Sequence, residues 1–363
     1  MPTKNLILVI GATGGQGMAV VDKLLAPAED GSPSPYTVRA LTRDPNGRRA
    51  KELAKKGVEL FQGSFDDFAR VRAALDGVWG VWANTDGFTV GEAKEMWAGM
   101  HIYEIAKSVK SVRHFVWSNL DYALKKGGFN PIYKCEHYNG KGRVADWLKA
   151  QPSVVSDRDM SWAVVTSGPY MEMLSFHMFG PIGQRADGTF VFASPIGNGH
   201  IPMIAHEDLG FFARYAFDHR TEVSGKNLEI ASDWVSWDDL VSTFTKVTGL
   251  KAEYLRQSLD SAGWFGNWLH TDRPIANERA YGDGSTTWQE NFTGFWAMWR
   301  DDVIGRDWAW IRKTNPRGYT LESWMRAKGY RGVVDDSAAV LKNVEERKSV
   351  VPNVERIREL LRS

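Results

Sequence analysis

The sequence predicts an α/β protein with a doubly wound parallel sheet and a smaller α+β lobe near its C-terminus. Two observations carry this prediction. Short apolar strands alternate with helical patterns along the first third of the chain, and such alternation is typical of parallel strands joined by crossover helices. At 363 residues, 43% of them hydrophobic, the chain can also bury one large domain or two modest ones.

The first strand and the first helix are joined by a glycine-rich turn, GATGGQG. Residues 6–10 are apolar, and three glycines spaced GxxGxxG follow before an apolar-periodic helix. Such a turn lets the backbone approach a pyrophosphate while the N–H groups and the positive dipole of the helix face its charge. No Lys-Ser or Lys-Thr pair follows, which argues against a nucleoside-triphosphate loop; a tight βα connection without a ligand is the alternative. The turn residues predicted to bind a dinucleotide are Gly11, Thr13, Gly14, Gly15, Gln16 and Gly17.

The residue after the second strand bears on the choice of cofactor. Residues 36–42 form this strand, and Arg43 follows it, with Arg48 and Arg49 close behind. An acid at this point would bind a free ribose 2′-hydroxyl, whereas an arginine suits a 2′-phosphate. Arg43 therefore favours NADP(H), although Asp44 beside it weakens the signal and a solvated arginine is the alternative.

The alternation of strands and helices continues to a fifth strand. Loops at the C-terminal ends of strands line the ligand crevice of a doubly wound sheet. Asp66 and Thr85, which follow the third and fourth strands, are therefore predicted to face the cofactor. For Asp66 the alternative is a cap on the next helix. The predicted elements are helix 48–56, strand 58–62, helix 68–75, strand 78–83, helix 91–109 and strand 114–118.

Composition excludes several other classes of protein. The formal net charge is +1 with no basic or acidic block, so neither direct binding of nucleic acid nor an anionic membrane surface is indicated. Cys135 is the only cysteine, which excludes an internal disulfide and a cysteine-clustered metal site. The first strand begins soon after Met1 and no apolar run approaches ~18 residues, so a cytoplasmic protein without a membrane span is expected.

A series of short motifs resembles the NmrA-like branch of the atypical short-chain dehydrogenase/reductases. In the order of that family, the motifs are GATGGQG, LTRDP, GSFDD, FVWSNLD, HYNGKGRVADWL, TSGPYMEML and IPMIAHEDLG. The resemblance implies a Rossmann domain that binds NADP(H), with a smaller lobe that closes a cleft over the nicotinamide. The family includes both reductases and non-catalytic NADP(H)-sensing regulators, so the resemblance does not settle catalysis.

One position departs from the Tyr-x-x-x-Lys pattern of a typical short-chain dehydrogenase. The resemblance implies that Lys141 is the lysine and that Ser118, at the end of the fifth strand, is the family's serine, but the tyrosine position is His137. Positions i and i+4 share one helix face, so His137 and Lys141 can point into the same site. Tyr138 lies about 100° further around the helix and replaces the missing phenol only if the helix begins there or is irregular. These four residues are the candidate catalytic residues.

The boundary between the two predicted domains falls near residue 168. Residues 1–168 form the NADP(H)-binding domain, to which later segments are free to return, and residues 169–363 form the smaller lobe. The family pattern places Pro169 and Tyr170, at the start of that lobe, beside the nicotinamide. The elements predicted in the lobe are strands 189–192 and 227–231, helices 207–217 and 237–247, and a polar helical stretch over 337–363 broken at Pro352.

The last third of the chain is rich in aromatic side chains. Two interpretations stay open: these side chains pack the core of the smaller lobe or a homodimer contact, or several of them roof an apolar substrate cleft. A stacking platform for nucleic acid would need a basic groove, which this nearly neutral chain lacks. The residues are Trp264, Phe265, Trp268, Trp288, Phe292, Phe295, Trp296, Trp299, Trp308, Trp310 and Trp324.

The function expected from these features is NADPH-dependent reduction of a carbonyl, imine or activated double bond in a hydrophobic or aromatic small molecule. In such an enzyme Lys141 would orient the nicotinamide ribose and act as general acid, with His137 or Tyr138 supplying or relaying the proton. The alternative is a regulator that binds NADP(H) and signals to a protein partner. A regulator of that kind needs no proton donor.

Overall fold

The chain forms two compact units in a computed structural model that describes residues 4–28, 30–335, 341, 348 and 350–362. The first unit comprises Met1–Tyr122, His137–Ser167 and His206–Ile230. The second comprises Ala123–Glu136, Gly168–Ala205 and Ala231–Ser363. The chain therefore returns to the first unit after residue 205, as the sequence had left open.

A parallel sheet of seven strands forms the centre of the first unit. Numbered along the whole chain, the strands are β1 (Asn5–Ile10), β2 (Tyr36–Thr42), β3 (Glu59–Gln62), β4 (Gly80–Ala83), β5 (His114–Leu120), β6 (Ser161–Ser167) and β10 (Asn227–Glu229). Their order in the sheet is β10-β6-β5-β4-β1-β2-β3. The order reverses between β1 and β4, which is where open α/β sheets bind their ligands. The predicted doubly wound fold is confirmed.

The predicted helices 48–56, 68–75 and 91–109 are present in the first unit, and each of their bounds differs from the prediction by at most one residue. β1 is apolar because it is covered on both faces, and its residues Ile7, Leu8 and Val9 have no exposed surface. The helices are α1 (Gly15–Leu25), α2 (Arg48–Lys55), α3 (Phe68–Ala74), α4 (Gly87–Val90), α5 (Glu92–Ser108), α7 (Glu136–Leu148), α8 (His206–Asp218) and α9 (Arg220–Val223).

Two elements that the sequence assigned to the smaller lobe lie in the first unit. β10, predicted as strand 227–231 of that lobe, pairs in parallel with β6 and extends the main sheet. α8 packs on α1, and a Cβ at Gly210 would lie 2.7 Å from the carbonyl oxygen of Ala19, so a glycine permits the close approach. The assignment of both elements to the smaller lobe is wrong. Sequence periodicity identifies a strand and a helix, but it does not say which sheet they join.

β5 begins with a histidine that is buried in the first unit. His114 has no exposed surface, and its Nδ1 lies 2.8 Å from the hydroxyl oxygen of Ser161. Burial, with a smaller contribution from the charge of Arg220, lowers the pKa of His114 from 6.5 to about 3. The folded protein therefore holds this imidazole neutral at pH values where the unfolded chain protonates it.

We expect the burial of His114 to make the free energy of unfolding decrease as the pH is lowered. Because the folded pKa is lowered, the contribution of His114 is complete above about pH 6.5 and is lost as the pH falls toward 3. The loss approaches about 1.4 kcal/mol per pH unit. Urea unfolding of the wild type and of His114→Gln should show a shallower decline in the variant between about pH 7 and about pH 5. The exposed His219 gives the control, His219→Gln, and equal slopes for wild type and His114→Gln would contradict the prediction.

Within the described residues, the second unit contains three small sheets and several helices. β7 (Pro181–Gln184), β8 (Phe190–Ser194) and β12 (Ala252–Arg256) form one sheet, β9 (Ile201–Met203) pairs with β11 (Asp233–Val235), and β13 (Trp268–Leu269) pairs with β14 (Val351–Pro352). The helices are α6 (Ala123–Lys126), α10 (Trp237–Thr248), α11 (Trp288–Arg300), α12 (Trp308–Thr314), α13 (Leu321–Lys328) and a C-terminal helix, Val354–Arg362. α10 begins as predicted, because the Ser236 hydroxyl accepts a hydrogen bond from the Asp239 amide.

The aromatic residues of the last third pack mainly on one another inside the second unit. Of the eleven, all except Trp308 and Trp310 are at most 8% exposed. The ring of Trp264 stacks on Trp288 with 5.7 Å between centroids and meets Trp296 edge-on at 5.1 Å. Close packing of this kind is typical of a core. The structure therefore favours the interpretation of these side chains as the core of the unit over the interpretation as a substrate roof.

The C-terminal segment is part of the second unit. Pro352 lies opposite Trp268 in the β13–β14 pair, and the C-terminal helix begins after it at Val354. Whether a helix precedes Pro352 stays a prediction, because most of the residues before it lie outside the described residues. Ile357 of the C-terminal helix is 7% exposed and packs with Ile182 and Val191. Residues 336–340, 342–347 and 349, which include the first part of the predicted helical stretch, lie outside the described residues. In the part of the chain that the structure describes, no helix combines the length and apolar character needed to cross a membrane.

Candidate dinucleotide and lysine site

The turn between β1 and α1 has a geometry that requires glycine at two points. Gly11 has a φ of +79°, and a Cβ at that position would lie 2.7 Å from the carbonyl oxygen of Asn84. A Cβ at Gly17 would lie 2.1 Å from the carbonyl oxygen of Gly11. α1 starts after Gly14, its first turn carries no acidic residue, and no side chain makes a hydrogen bond as its N-cap. Its first N–H groups and its dipole therefore suit a bound anion.

The three arginines that follow β2 have different surroundings in the structure. Arg43 is exposed at the end of β2, where the sequence predicts it. Arg49 is half-buried, and its Nη1 donates a hydrogen bond to the carbonyl oxygen of Thr13 at 3.3 Å. Arg48 instead pairs with Glu52 at 2.9 Å on an exposed helix surface. Arg49 thus joins Arg43 as a candidate, because the contact with the glycine turn distinguishes it from its neighbour.

Asp66 does not cap α3. The cap is Asp67, whose carboxylate accepts a hydrogen bond from the Arg70 amide at 3.1 Å. Asp66 is exposed, and its carboxylate accepts a hydrogen bond from the Ser64 hydroxyl. The interpretation of Asp66 as a cap is therefore wrong, and its predicted position facing the cofactor stays a prediction.

Lys141 is the centre of a buried polar cluster. The side chain lies on α7 and is 9% exposed. Its ammonium group donates to the Thr85 carbonyl oxygen at 2.8 Å and to the Asn84 Oδ1 at 3.3 Å, and it lies 5.5 Å from the ring centroid of Trp117. Asn84 also lies against Gly11. The structure therefore brings the glycine turn, the end of β4 and Lys141 together within the first unit.

Lys141 has a buried acidic partner that the sequence does not indicate. Glu95, in the first turn of α5, has no exposed surface, and its Oε1 lies 2.9 Å from the ammonium nitrogen of Lys141. The Thr85 hydroxyl donates to the same oxygen at 2.7 Å. An acid in the first turn of a helix is ordinary, because it complements the helix dipole. The sequence therefore contains no signal that separates Glu95 from a surface glutamate.

Ser118 lies at the end of the sheet where the serine of the family is expected. Its hydroxyl donates a hydrogen bond of 2.5 Å to the Oε1 of Gln16, and both residues are buried. Gln16 belongs to the first turn of α1, directly after the glycine turn. Ser118 is therefore connected to the predicted dinucleotide site through Gln16.

His137 and Tyr138 are both buried at the start of α7. The imidazole of His137 lies against the ring of Phe88, with 4.6 Å between ring centroids, and against the ring of Tyr138 at 5.0 Å. His137 is 8% exposed and Tyr138 is 2% exposed. His137 occupies the tyrosine position one turn before Lys141, and its described ring contacts are aromatic. Its role as proton donor stays a prediction.

Pro169 and Tyr170 lie in the second unit. The Pro169 carbonyl oxygen accepts a hydrogen bond from the Ile204 amide at 2.9 Å, and Tyr170 forms an isolated parallel bridge with Ile204. These contacts fix the backbone of both residues. Their predicted position beside a nicotinamide stays a prediction.

The chain is similar in sequence to proteins of the NmrA-like family. The family model described as the NmrA-like family matches residues 3–262. The NmrA-like family domain-containing oxidoreductase ptmS of Penicillium ochrochloron is 40% identical over 268 residues, which cover 69% of this chain and 76% of that relative.

Solved structures show the same fold at low identity. The negative transcriptional regulator NmrA in complex with NADP has a TM-score of 0.66 and 16% identity, over 89% of this chain and 95% of its own. The NADPH-dependent quinone oxidoreductase QOR2 of Escherichia coli, complexed with NADPH, has a TM-score of 0.63 and 18% identity, over 89% of this chain and 100% of its own. The family match over most of its length and the identity to ptmS show that the chain belongs to the NmrA-like family.

Proposed function

We propose that this protein is an NADP(H)-dependent oxidoreductase that reduces a carbonyl, imine or activated double bond of a hydrophobic or aromatic small molecule. The observation that carries the proposal is the position of Asn84 and Thr85. Asn84 lies against Gly11 of the glycine turn, and both residues accept hydrogen bonds from the ammonium of Lys141. One short segment thus connects a dinucleotide-type turn to a buried cation.

Relatives support the chemical class. ptmS is named as an oxidoreductase, and the solved structures of NmrA and QOR2 contain NADP and NADPH. The residues of this chain fit such a cofactor on their own geometry. The N-terminus of α1 is free of acids and of a side-chain cap, Gly17 leaves no room for a Cβ beside it, and Arg49 contacts the turn.

A reduction needs a proton as well as a hydride, and the residues around Lys141 can supply the proton. When bound, NADPH would supply a hydride. The ammonium of Lys141 offers positive charge and a proton to an oxygen or nitrogen that becomes negative, in a site where burial strengthens the interaction. His137 and Tyr138 remain candidates to relay a proton. Ser118, tied to Gln16, would help to hold the ligand at the end of the sheet.

A non-catalytic NADP(H)-sensing regulator is the second candidate. The observation that favours it is His137, which stands at the tyrosine position and packs on Phe88 and Tyr138. A regulator needs the cofactor contacts but not a proton donor. NmrA itself is described as a negative transcriptional regulator and has the same fold.

A turnover assay separates the two candidates. The purified protein is supplied with NADPH and a panel of quinones, aryl ketones, cyclic imines and enones, and loss of the reduced nicotinamide absorbance is recorded. An oxidoreductase should oxidise NADPH with at least one apolar acceptor and form the reduced product of that acceptor. Tight NADPH binding without product across the panel would favour the regulator, and no binding of either nicotinamide cofactor would contradict both.

The two arginines give a test of cofactor selectivity. Arg49→Ala and Arg43→Ala should each raise the Kd for NADPH by roughly tenfold, because hydrogen bonds to charged groups contribute about 1.5–3 kcal/mol. NADH lacks the 2′-phosphate, so its Kd should change little. Titration calorimetry with both cofactors measures the difference, and Arg48→Ala is the matched control because Arg48 pairs with Glu52. Equal losses for NADPH and NADH would refute the role in binding a 2′-phosphate.

A further inference from the structure

Glu95 is a buried carboxylate in a closely fitted space. Its Oε1 accepts a hydrogen bond from the Thr85 hydroxyl and pairs with the Lys141 ammonium. Its Oε2 is buried without a hydrogen-bond partner among the described residues. A Cβ at Gly87 would lie 2.4 Å from that oxygen, and a Cβ at Gly140 would lie 3.1 Å from it. Two glycines therefore provide the room for this carboxylate beside α7.

The charge of Glu95 constrains Lys141. A carboxylate without exposed surface is costly unless it is paired and hydrogen-bonded, and Lys141 is the cation in contact with it. If the ammonium moved away, the carboxylate would remain buried with only the Thr85 hydroxyl, an arrangement that is strongly unfavourable. The Lys141 side chain is therefore held where it also meets the Thr85 carbonyl and Asn84, although a lysine is otherwise free to rotate about four bonds.

We propose that Glu95 is the positioning residue for Lys141, and that its buried negative charge keeps the ammonium at the Asn84–Thr85 segment next to the glycine turn. This inference rests on the proposed function, because it concerns the lysine of that site. Thr85 contacts both members of the ion pair, because its hydroxyl donates to the Glu95 carboxylate and its carbonyl oxygen accepts from the Lys141 ammonium.

A second ion pair between the same two helices provides a matched control. Glu92 lies one turn before Glu95 on α5, and its Oε1 is 3.4 Å from the Nη1 of Arg143 on α7. The Arg143 side chain is 38% exposed, whereas the Lys141 side chain is 9% exposed. Removing the Glu92 charge thus weakens a pair of the same type between the same helices, in a more solvated place.

The first test is a double-mutant cycle of Glu95 and Lys141, in which kcat/KM is measured for each variant. Glu95→Gln keeps the shape of the side chain and should lower kcat/KM about 10-fold to 100-fold, mainly through kcat, while Glu92→Gln stays close to wild type. In a Lys141→Met background, Glu95→Gln should cause no further loss, because its effect acts through Lys141. Full activity of Glu95→Gln, or losses that simply multiply in the double variant, would overturn the proposal.

The second test does not depend on turnover. Lys141→Met leaves the Glu95 carboxylate unpaired and should lower the melting temperature by roughly 5 °C or more; adding Glu95→Gln should recover much of that loss. A double variant that melts lower than Lys141→Met would overturn the inference. If the wild type turns over no acceptor, the proposed function fails. The role of Glu95 is still decided by the melting temperatures of the same variants and by their Kd values for NADPH.

Discussion

Lys141→Ala is expected to reduce kcat/KM by at least about 100-fold, equivalent to roughly 3 kcal/mol of transition-state stabilisation. The side chain supplies the buried positive charge of the site, and its ammonium makes hydrogen bonds to Thr85 and Asn84. An alanine offers neither the charge nor a proton. The measurement is steady-state turnover of NADPH with the best acceptor of the panel.

The same substitution also leaves Glu95 buried without its cation, so stability has to be measured alongside activity. Removal of one partner of a buried ion pair costs about 3–5 kcal/mol, and the assay temperature should lie below the melting transition of the variant. Lys141→Arg is the informative companion, because it keeps the charge but not the compact ammonium. Activity of folded Lys141→Ala within a few-fold of the wild type would remove this residue from the mechanism.

Gly17→Ala is expected to destabilise the first unit severely. A Cβ at this position would lie 2.1 Å from the Gly11 carbonyl oxygen and 2.6 Å from the Ala12 Cα, and both are backbone atoms that cannot move without opening the turn. Overpacking of a well-packed site typically costs about 1–3 kcal/mol and sometimes more; a clash with backbone belongs at the upper end. Thermal or urea unfolding of the purified variant measures the loss.

A second glycine of the same turn serves as the control. A Cβ at Gly14 would meet only the Gly11 carbonyl oxygen, at 3.3 Å, and Gly14 has an extended backbone that any residue adopts. Gly14→Ala should therefore lie within about 1 kcal/mol of the wild type in stability. If the two variants unfold at the same denaturant concentration, steric exclusion at Gly17 is not what fixes the turn.

Most of the main sheet could be predicted from the sequence, because most of its strands are short apolar runs that can be recognised from neighbouring residues alone. β2 has the predicted bounds, and the glycine turn follows β1 as its residues indicate. β10 could not be placed, because its three residues pair with residues 164–166 of β6, which lie far away along the chain. That arrangement depends on contacts between residues far apart in the chain, which periodicity does not record.

Some residues of the candidate site could likewise be predicted from the sequence, and others could not. Lys141 was predicted through its motif, whereas Glu95 carries no motif and lies where any helix favours an acid. The pairing of the two depends on the room left by Gly87 and Gly140, which only the packed helices define. Arg49 differs from Arg48 in donating a hydrogen bond to the Thr13 carbonyl oxygen, a contact that the sequence does not indicate.

The C-terminal helix has a consequence for folding during synthesis. Strand pairing in the first unit is complete once β10 has left the ribosome, because its last strand ends at Glu229. One apolar cluster of the second unit is complete only when Val354–Arg362 has been synthesised, since Ile357 packs there with Ile182 of β7 and Val191 of β8. Domains generally fold as units in the order of synthesis. The dinucleotide turn and Lys141 should therefore be assembled while the β7–β8 sheet still lacks its last covering helix.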